Sequence, residues 1–456
     1  MKNNNTLKSI VFDSKTMTPT TNNIPPQGYK MTELGILPEE WEVVRLGEIF
    51  NVQQGKQLSE KESKEGKIKK SFLRTSNLNW GHIDISSIDE MYFTSEEFGK
   101  LKLESGDILV CEGGDVGRTA LYRGELVECA YQNHLHRLRT KKDNLDVEYF
   151  VFWMNYAINQ RKMYIHSANR TTIPNLSGSR LKEFLIPLPP LPEQQKIAAV
   201  LSAVQEAKEK TEAVIAATKA LKKSMMKHLF TYGPVSPEEV ENIQLKETEI
   251  GPVPEDWEVV KLGEVAETYS GGTPSREQKK YFKGKIGWLK SGELNDNNIY
   301  LTQEYITEEA LKKSSAKYVE NNTLLIAMYG ATVGKVGLAK AKFTINQAIC
   351  AVNLNEKLWP EFYFFYFQMI RNKLLSMRFG GAQPNINQQI IKQISLPLPP
   401  LPIQQKIASI LSAIDSKIEA EENKKKALEE LFKSLLHNLM TGKIRVNNLK
   451  LNEKDI

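Results

Sequence analysis

IPLPPLPEQQKIAAVLSAV at 186–204 and LPLPPLPIQQKIASILSAI at 396–414 agree at 14 of 19 positions. In each, prolines fix φ, remove amide donors and keep the residues before them out of helix. A helical pattern starts at the glutamines. A stiff helix entry used twice, 210 residues apart, marks a duplicated unit.

The rest of the chain repeats in the same order. LGILPEEWEVVRLGEI (34–49) returns as IGPVPEDWEVVKLGEV (250–265) with 10 of 16 identities. FLRTSNLN (72–79) returns as WLKSGELN (288–295), GDVGRTALY (114–122) as ATVGKVGLA (331–339), and IPNL (173–176) as QPNI (383–386). A period above 200 residues is too long for a solenoid, so the copies are domains. Short Val/Ile/Leu runs punctuated by Gly, Asn and Asp predict strands and turns, with helices at 146–160 and 360–375. The fold class expected is α+β: two similar domains joined by two long helices that pair as an antiparallel coiled coil, with pseudo-twofold order. The domain plan is a polar tail (1–30), a first domain (31–186), a Pro-rich entry and central helix (187–231) and a linker (232–249). A second domain (250–396), its Pro-rich entry and helix (397–442) and a tail (443–456) complete it.

Both helices carry apolar or small residues at alternating steps of three and four, the spacing of a coiled-coil seam. In the first these are Ile197, Val200, Val204, Ala207, Thr211, Val214, Thr218, Leu221 and Met225. In the second they are Leu411, Ile414, Ile418, Leu428, Phe432, Leu435 and Leu439, interrupted by EAEENKKK. Each helix is expected to be roughly 55 Å long, more than the ~34 Å of one duplex turn.

Composition sets bounds. The 456 residues are 41% hydrophobic and 25% charged, ordinary for a soluble globular protein. No run of 18 apolar residues or charged leader is present, so a cytoplasmic protein without a membrane partner is expected. A net charge of +6 permits a polyanionic partner without requiring one. Cys111, Cys129 and Cys350 are too few and scattered for disulfides or zinc and are expected as buried thiols. GGDVGRT (113–119) and GATVGKV (330–336) are each one residue short of a phosphate-binding loop, and their repetition predicts a glycine turn between strands. No amino-methyltransferase motif, nucleophilic triad or metal-ligand spacing stands out. His134 and His136 are expected on opposite faces of a strand. Trp41 and Trp257, equivalent in the two copies, are expected in cores; Trp80 sits among polar neighbours.

WEVVRLGEI, WLKSGELN, SGGTPS (270–275) and the doubled PLPPLPxQQKIAxxLSA together resemble the specificity subunit of type I restriction-modification systems, over essentially the whole chain beyond residue 30. The resemblance implies two target-recognition domains, each reading half of a bipartite DNA site in the major groove. It implies helices that act as a spacer and dock two methyltransferase subunits. Ile197, Val204, Leu221, Met225, Leu411, Ile414, Ile418, Leu428 and Leu435 are the spacer and docking positions. Restriction subunits complete the complex. No cofactor is expected in this chain; S-adenosylmethionine, ATP and magnesium would belong to the partners, and the chain itself would be non-catalytic.

Candidate DNA contacts are polar, turn-located and equivalent in both copies. Gln53, Gln54 and Lys56 match Ser270, Gly272, Thr273 and Ser275. Arg74, Thr75, Asn77 and Asn79 match Lys290, Ser291, Glu293 and Asn295. Arg118 matches Lys335, and Arg170, Thr171 and Thr172 match the segment of Arg378 and Gln383. Arg, Lys, Asn and Gln suit base edges, and Ser, Thr and glycine amides suit phosphates. The lysine-rich 61–70 and 276–285 suit phosphate attraction. Two alternatives fit the same residues: the recognition subunit of a related system with a fused methyltransferase-nuclease partner, and a protein-binding scaffold indifferent to DNA.

Overall fold

The computed structural model describes residues 25–58, 65–163, 175–377 and 385–446. They fall into two units, one of residues up to Lys210 together with those from Lys425 onward, the other Thr211–Lys424. Each long helix is therefore shared between units.

In the first unit a four-stranded sheet runs in the order Phe50–Gln54, Leu135–Thr140, Ile108–Cys111, Thr119–Leu121. Ile108–Cys111, bounded by turns, is wholly buried, and its neighbours pair with it antiparallel. A three-stranded sheet of Asp89–Phe93, Ile68–Leu73 and Cys129–Tyr131 forms a second layer around Phe72, Phe93 and Tyr131. Helix Val147–Asn155 starts at Asp146, whose carboxylate accepts from the Tyr149 amide (2.7 Å), and buries Tyr149, Phe150 and Trp153. The second unit repeats the plan with a five-stranded sheet centred on Leu324–Ala327 and Ile349–Leu354, and a four-stranded one containing Ile286–Leu289. Helix Pro360–Met369 carries Phe362, Tyr363, Phe365 and Phe367 into its core.

The repeated proline run forms the last strand of each unit. Leu185–Leu188 pairs antiparallel with Glu42–Arg45, and Ser395–Leu398 with Glu258–Lys261. The repeated WEVV and LPLPP segments are thus partners in a two-stranded ribbon, under which Trp41 and Trp257 are buried. The helices follow at once, Leu191–Tyr232 and Leu401–Met440, of 42 and 40 residues. The first repeated glutamine explains the motif. Gln194 accepts from the Asp146 amide (2.9 Å) and donates to Asn144 O and Pro189 O. Gln404 does the same with the Trp359 amide (2.7 Å), Lys357 O and Pro399 O. Each is at most 1% exposed, and each ties its helix start to the proline turn and to the helix-bearing loop before it.

The helices run antiparallel. In the first unit Ile197, Ala198 and Leu201 share a core with Leu436, Leu439 and Met440; in the second Met226, Leu229 and Phe230 share one with Ile407 and Leu411. The seam of the first helix lies one residue away from part of the expected stripe. Leu201, Thr211, Ile215 and Met226 are buried, whereas Leu221 is 53% exposed and Val214 40%. Lys222 occupies the seam position next to Leu221 and pairs with Asp415 at 2.7 Å, its ammonium 5.1 Å from the Phe365 ring centre. Ile197, Leu411 and Ile418 are buried; Val204, Met225, Ile414, Leu428 and Leu435 are half-buried along it. The EAEENKKK interruption is no gap, because Glu421 is buried there and pairs with Lys417 at 2.6 Å.

Candidate nucleic-acid interface

In both units three turns lie at the same end of the strands. The first ends the strand Phe50–Gln54, or Ala266–Ser270 in the second unit. At Gly55 an added Cβ would stand 2.3 Å from Tyr131 O, and at Gly271 1.8 Å from Ile345 O, so the glycines permit a backbone approach no side chain allows. Lys56 N then donates to Tyr131 O (3.1 Å) and Gly272 N to Ile345 O (3.1 Å). The second is the glycine turn. Gly117 and Gly334 adopt φ of +77° and +76°, their amides bonding Cys111 O and Ala327 O. These turns join strands in both copies, as their repetition predicts. The third is the single 3-10 turn Thr75–Asn77, or Ser291–Glu293.

The second and third turns are tied together in each unit. Arg118 donates to Thr75 O (2.7 Å) and pairs with Asp115. In the other unit Thr332 donates to Ser291 O (2.7 Å) and Lys335 to Asn295 Oδ1 (2.5 Å). The grouping of 74–79 with 118, and of 290–295 with 335, is therefore a feature of the plan, not of one copy.

Individual positions divide by what their side chains already hold. Gln54, Asn79, Thr273, Ser275 and Asn295 are exposed. Arg74 is half-exposed and pairs with Asp89 at 2.7 Å. Lys290 shares Glu304 with Arg276, whose guanidinium stacks 4.2 Å from the Phe282 ring centre. Arg276 first, then Lys290, keeps the Glu304 carboxyl below its usual range. Ser270 accepts from Gln388 Nε2 at 2.6 Å, and Thr273 bonds Gln347. Lys56 is nearly buried against Glu97 (2.9 Å), whose carboxyl it holds low. Three positions have their polar groups taken up by bonds within the protein, which the sequence reading did not anticipate. Asn77 is 5% exposed, its amide bonded to Asp84 O and Ser87 O and its oxygen to the Arg74 amide. Gly272 is buried, its amide given to Ile345 O and its carbonyl accepting from Trp288, which leaves no donor for a phosphate. Glu293 spends both oxygens on the Lys290 and Gln303 amides. Arg170, Thr171, Thr172, Arg378 and Gln383 lie outside the described residues.

Sequence reasoning missed the residues that hold these turns. Arg137 is 7% exposed and donates to Lys100 O, Lys102 O and Gln53. Glu112 accepts from Gln54 (2.8 Å), and Arg371 donates to Gly334 O (3.0 Å) while pairing with Asp296. The equivalent dipeptides Gln132-Asn133 and Asn346-Gln347, in the turn before the same strand in both copies, were the available signal. His134 precedes the strand and is exposed, so only His136 lies within it, 2% exposed. Trp80 packs half-buried on the first unit's core. Lys279, Lys283 and Lys285 are exposed and make no ion pair among the described residues.

The cysteines are free and buried, and burial pushes the Cys129 thiol up to about 12. Among the described residues no acidic, histidine or cysteine cluster suits a metal ion, and no helix is long and apolar enough to cross a membrane.

Two α+β units of one plan, each presenting three polar turns at one end of its strands and each sharing an antiparallel helix pair, define a duplicated recognition scaffold. The model of the type I restriction modification DNA specificity domain matches residues 38–217 and 254–430, one copy per repeat, and the chain belongs to that family. It is 32% identical over 431 residues to a putative type I restriction enzyme MjaX specificity subunit of Methanocaldococcus jannaschii, covering 92% of this chain and 97% of that protein. The MjaVIII specificity subunit of the same organism is 29% identical over 433 residues, covering 91% and 95%. The fold is like that of the type I system S subunit from M. genitalium, with a TM-score of 0.56 at 18% identity, covering 88% of this chain and 96% of that one. A chain from a type I R-M system complex gives 0.57 at 18% identity, covering 90% and 99%.

Proposed function

We propose that the chain is the sequence-specific DNA-binding specificity subunit of a type I restriction-modification complex and is itself non-catalytic. One observation carries this reading: the turns shared by both units keep the same backbone bonds while their outward side chains differ. Gln54 stands where Ser270 does, and Arg74 where Lys290 does. A shared frame with different displayed groups suits two half-sites of different sequence, an asymmetric bipartite target. The paired helices then serve as the spacer and as the docking surface for two methyltransferase subunits, with restriction subunits joining them. S-adenosylmethionine, ATP and magnesium act in those partners. The complex works in the cytoplasm, where its DNA lies.

The test is methylome sequencing of cells expressing the chain with its modification partner. The expected result is methylation at one interrupted site whose two halves differ. A continuous palindrome, or no site dependent on this chain, overturns the proposal.

A further inference from the structure

Gln54 ends its strand on the exposed edge of the first unit. Its Nε2 donates to Glu112 Oε2 at 2.8 Å and to Asn133 O at 2.9 Å. A carboxylate and a peptide carbonyl accept and never donate, so the reversed amide would set oxygen against oxygen. The geometry therefore fixes which end faces inward. Both Nε2 hydrogens are spent, and Oε1, an acceptor, is what the side chain has left to offer.

Glu112 is itself well held. Its amide donates to His134 O (2.9 Å), its carbonyl accepts from the Leu176 amide (2.8 Å), and its carboxylate is 14% exposed. Behind it stands the buried His136 ring, with Nε2 3.7 Å from Glu112 Oε2. The turn thus presents a fixed acceptor beside a carboxylate. In the major groove, adenine N6 and cytosine N4 are amino donors, whereas guanine O6 and N7 and thymine O4 are acceptors. A mobile glutamine serves either kind, but a pinned one bonds the first and repels the second.

We infer that Gln54 is a specificity-determining residue that demands an exocyclic amino group, adenine or cytosine, at one strand position of the first half-site, and that Glu112 is its positioning residue. The inference rests on the DNA-reading function proposed above. The second unit sets no such demand at the matching place, because Ser270 keeps a hydroxyl able to donate or accept.

The experiment selects bound sequences from a randomised duplex library using the full-length chain with its modification partner. Wild type, Gln54→Leu and Glu112→Ala are compared. Wild type is expected to show one first-half position favouring A or C over G or T by roughly tenfold. Gln54→Leu should level that position while leaving the other positions and the second half-site intact. Glu112→Ala, which removes one of the two acceptors that pin the amide and leaves only Asn133 O, should narrow the preference for A and C over G and T at that position alone, a result that a purely structural role would not give. Unchanged selectivity in Gln54→Leu, or loss spread evenly over the half-site, overturns the inference while the DNA-reading function stands. Failure of wild type to enrich any sequence overturns both.

Discussion

Glu193 is one of the five mismatches between the repeated proline segments, its counterpart being Ile403. It is 4% exposed and receives Trp41 Nε1 (3.0 Å) and both arms of Arg445, at 2.7 and 2.9 Å. The pairing holds the Arg445 guanidinium well above its usual range, Glu193 being the largest cause and Glu40 the next partner. Arg445→Ala strips a buried carboxylate of this cation, so the first unit should lose about 3 kcal/mol, read by urea denaturation. Two histidines of the same unit set a pH response. Burial keeps His136 below the usual 6.5, opposed by Glu112. Burial and the charges of Lys443 and Arg161 do so for His437. Depressed imidazoles stabilise the fold fully above 6.5, and that contribution is lost as pH falls from 6.5 through the folded-state values. The first unit should therefore become more susceptible to limited proteolysis as pH falls below 6.5, and His136→Leu should flatten the response.

Among elements, the long helices separate what pattern determines from what pairing determines. The alternation of three and four residues was legible because a helix surface imposes it. Its phase was not, because Val214 and Ile215 are both apolar and adjacent, as are Val200 and Leu201. Two stripes about 100° apart fit the same sequence, and only the partner helix chooses between them. Leu201→Ala should cost about 3 kcal/mol by creating a cavity, whereas exposed Leu221→Ala should stay within about 0.5 kcal/mol. Thermal unfolding of the two variants checks the seam. The turns divide similarly. Gly117 and Gly334 were legible as turn residues because both copies carry them at one place. The buried role of Arg137 was not, because an arginine in LHRLRT has the same letters whether its strand edge is open or covered.

For the whole molecule, the duplication was legible from identities alone, and the order of repeated segments gave the number of units and their kinship. Which outward side chains meet a target was less legible, since Asn77 and Glu293 have the composition of contact residues yet hold their own turns. Binding should weaken steeply with salt, log K falling by ~0.9 for each phosphate neutralised per tenfold rise in salt. Charge reversal at Lys279, Lys283 and Lys285 should reduce that slope by about one for each of these lysines that neutralises a phosphate, without changing the preferred sequence, as measured by fluorescence anisotropy. Exchange of residues 31–185 for a homologous segment should alter one half of the methylated site and leave the other unchanged.

The grip of Gln194 and Gln404 bears on how such exchanges succeed. Among the described residues, every bond each glutamine side chain makes is to main chain: one amide and two carbonyls. The fixture therefore asks nothing of its neighbours' side chains, and Asp146 and Trp359 fill the same seat. A coupling blind to sequence lets a lineage trade its readers freely while the mount stays as it is.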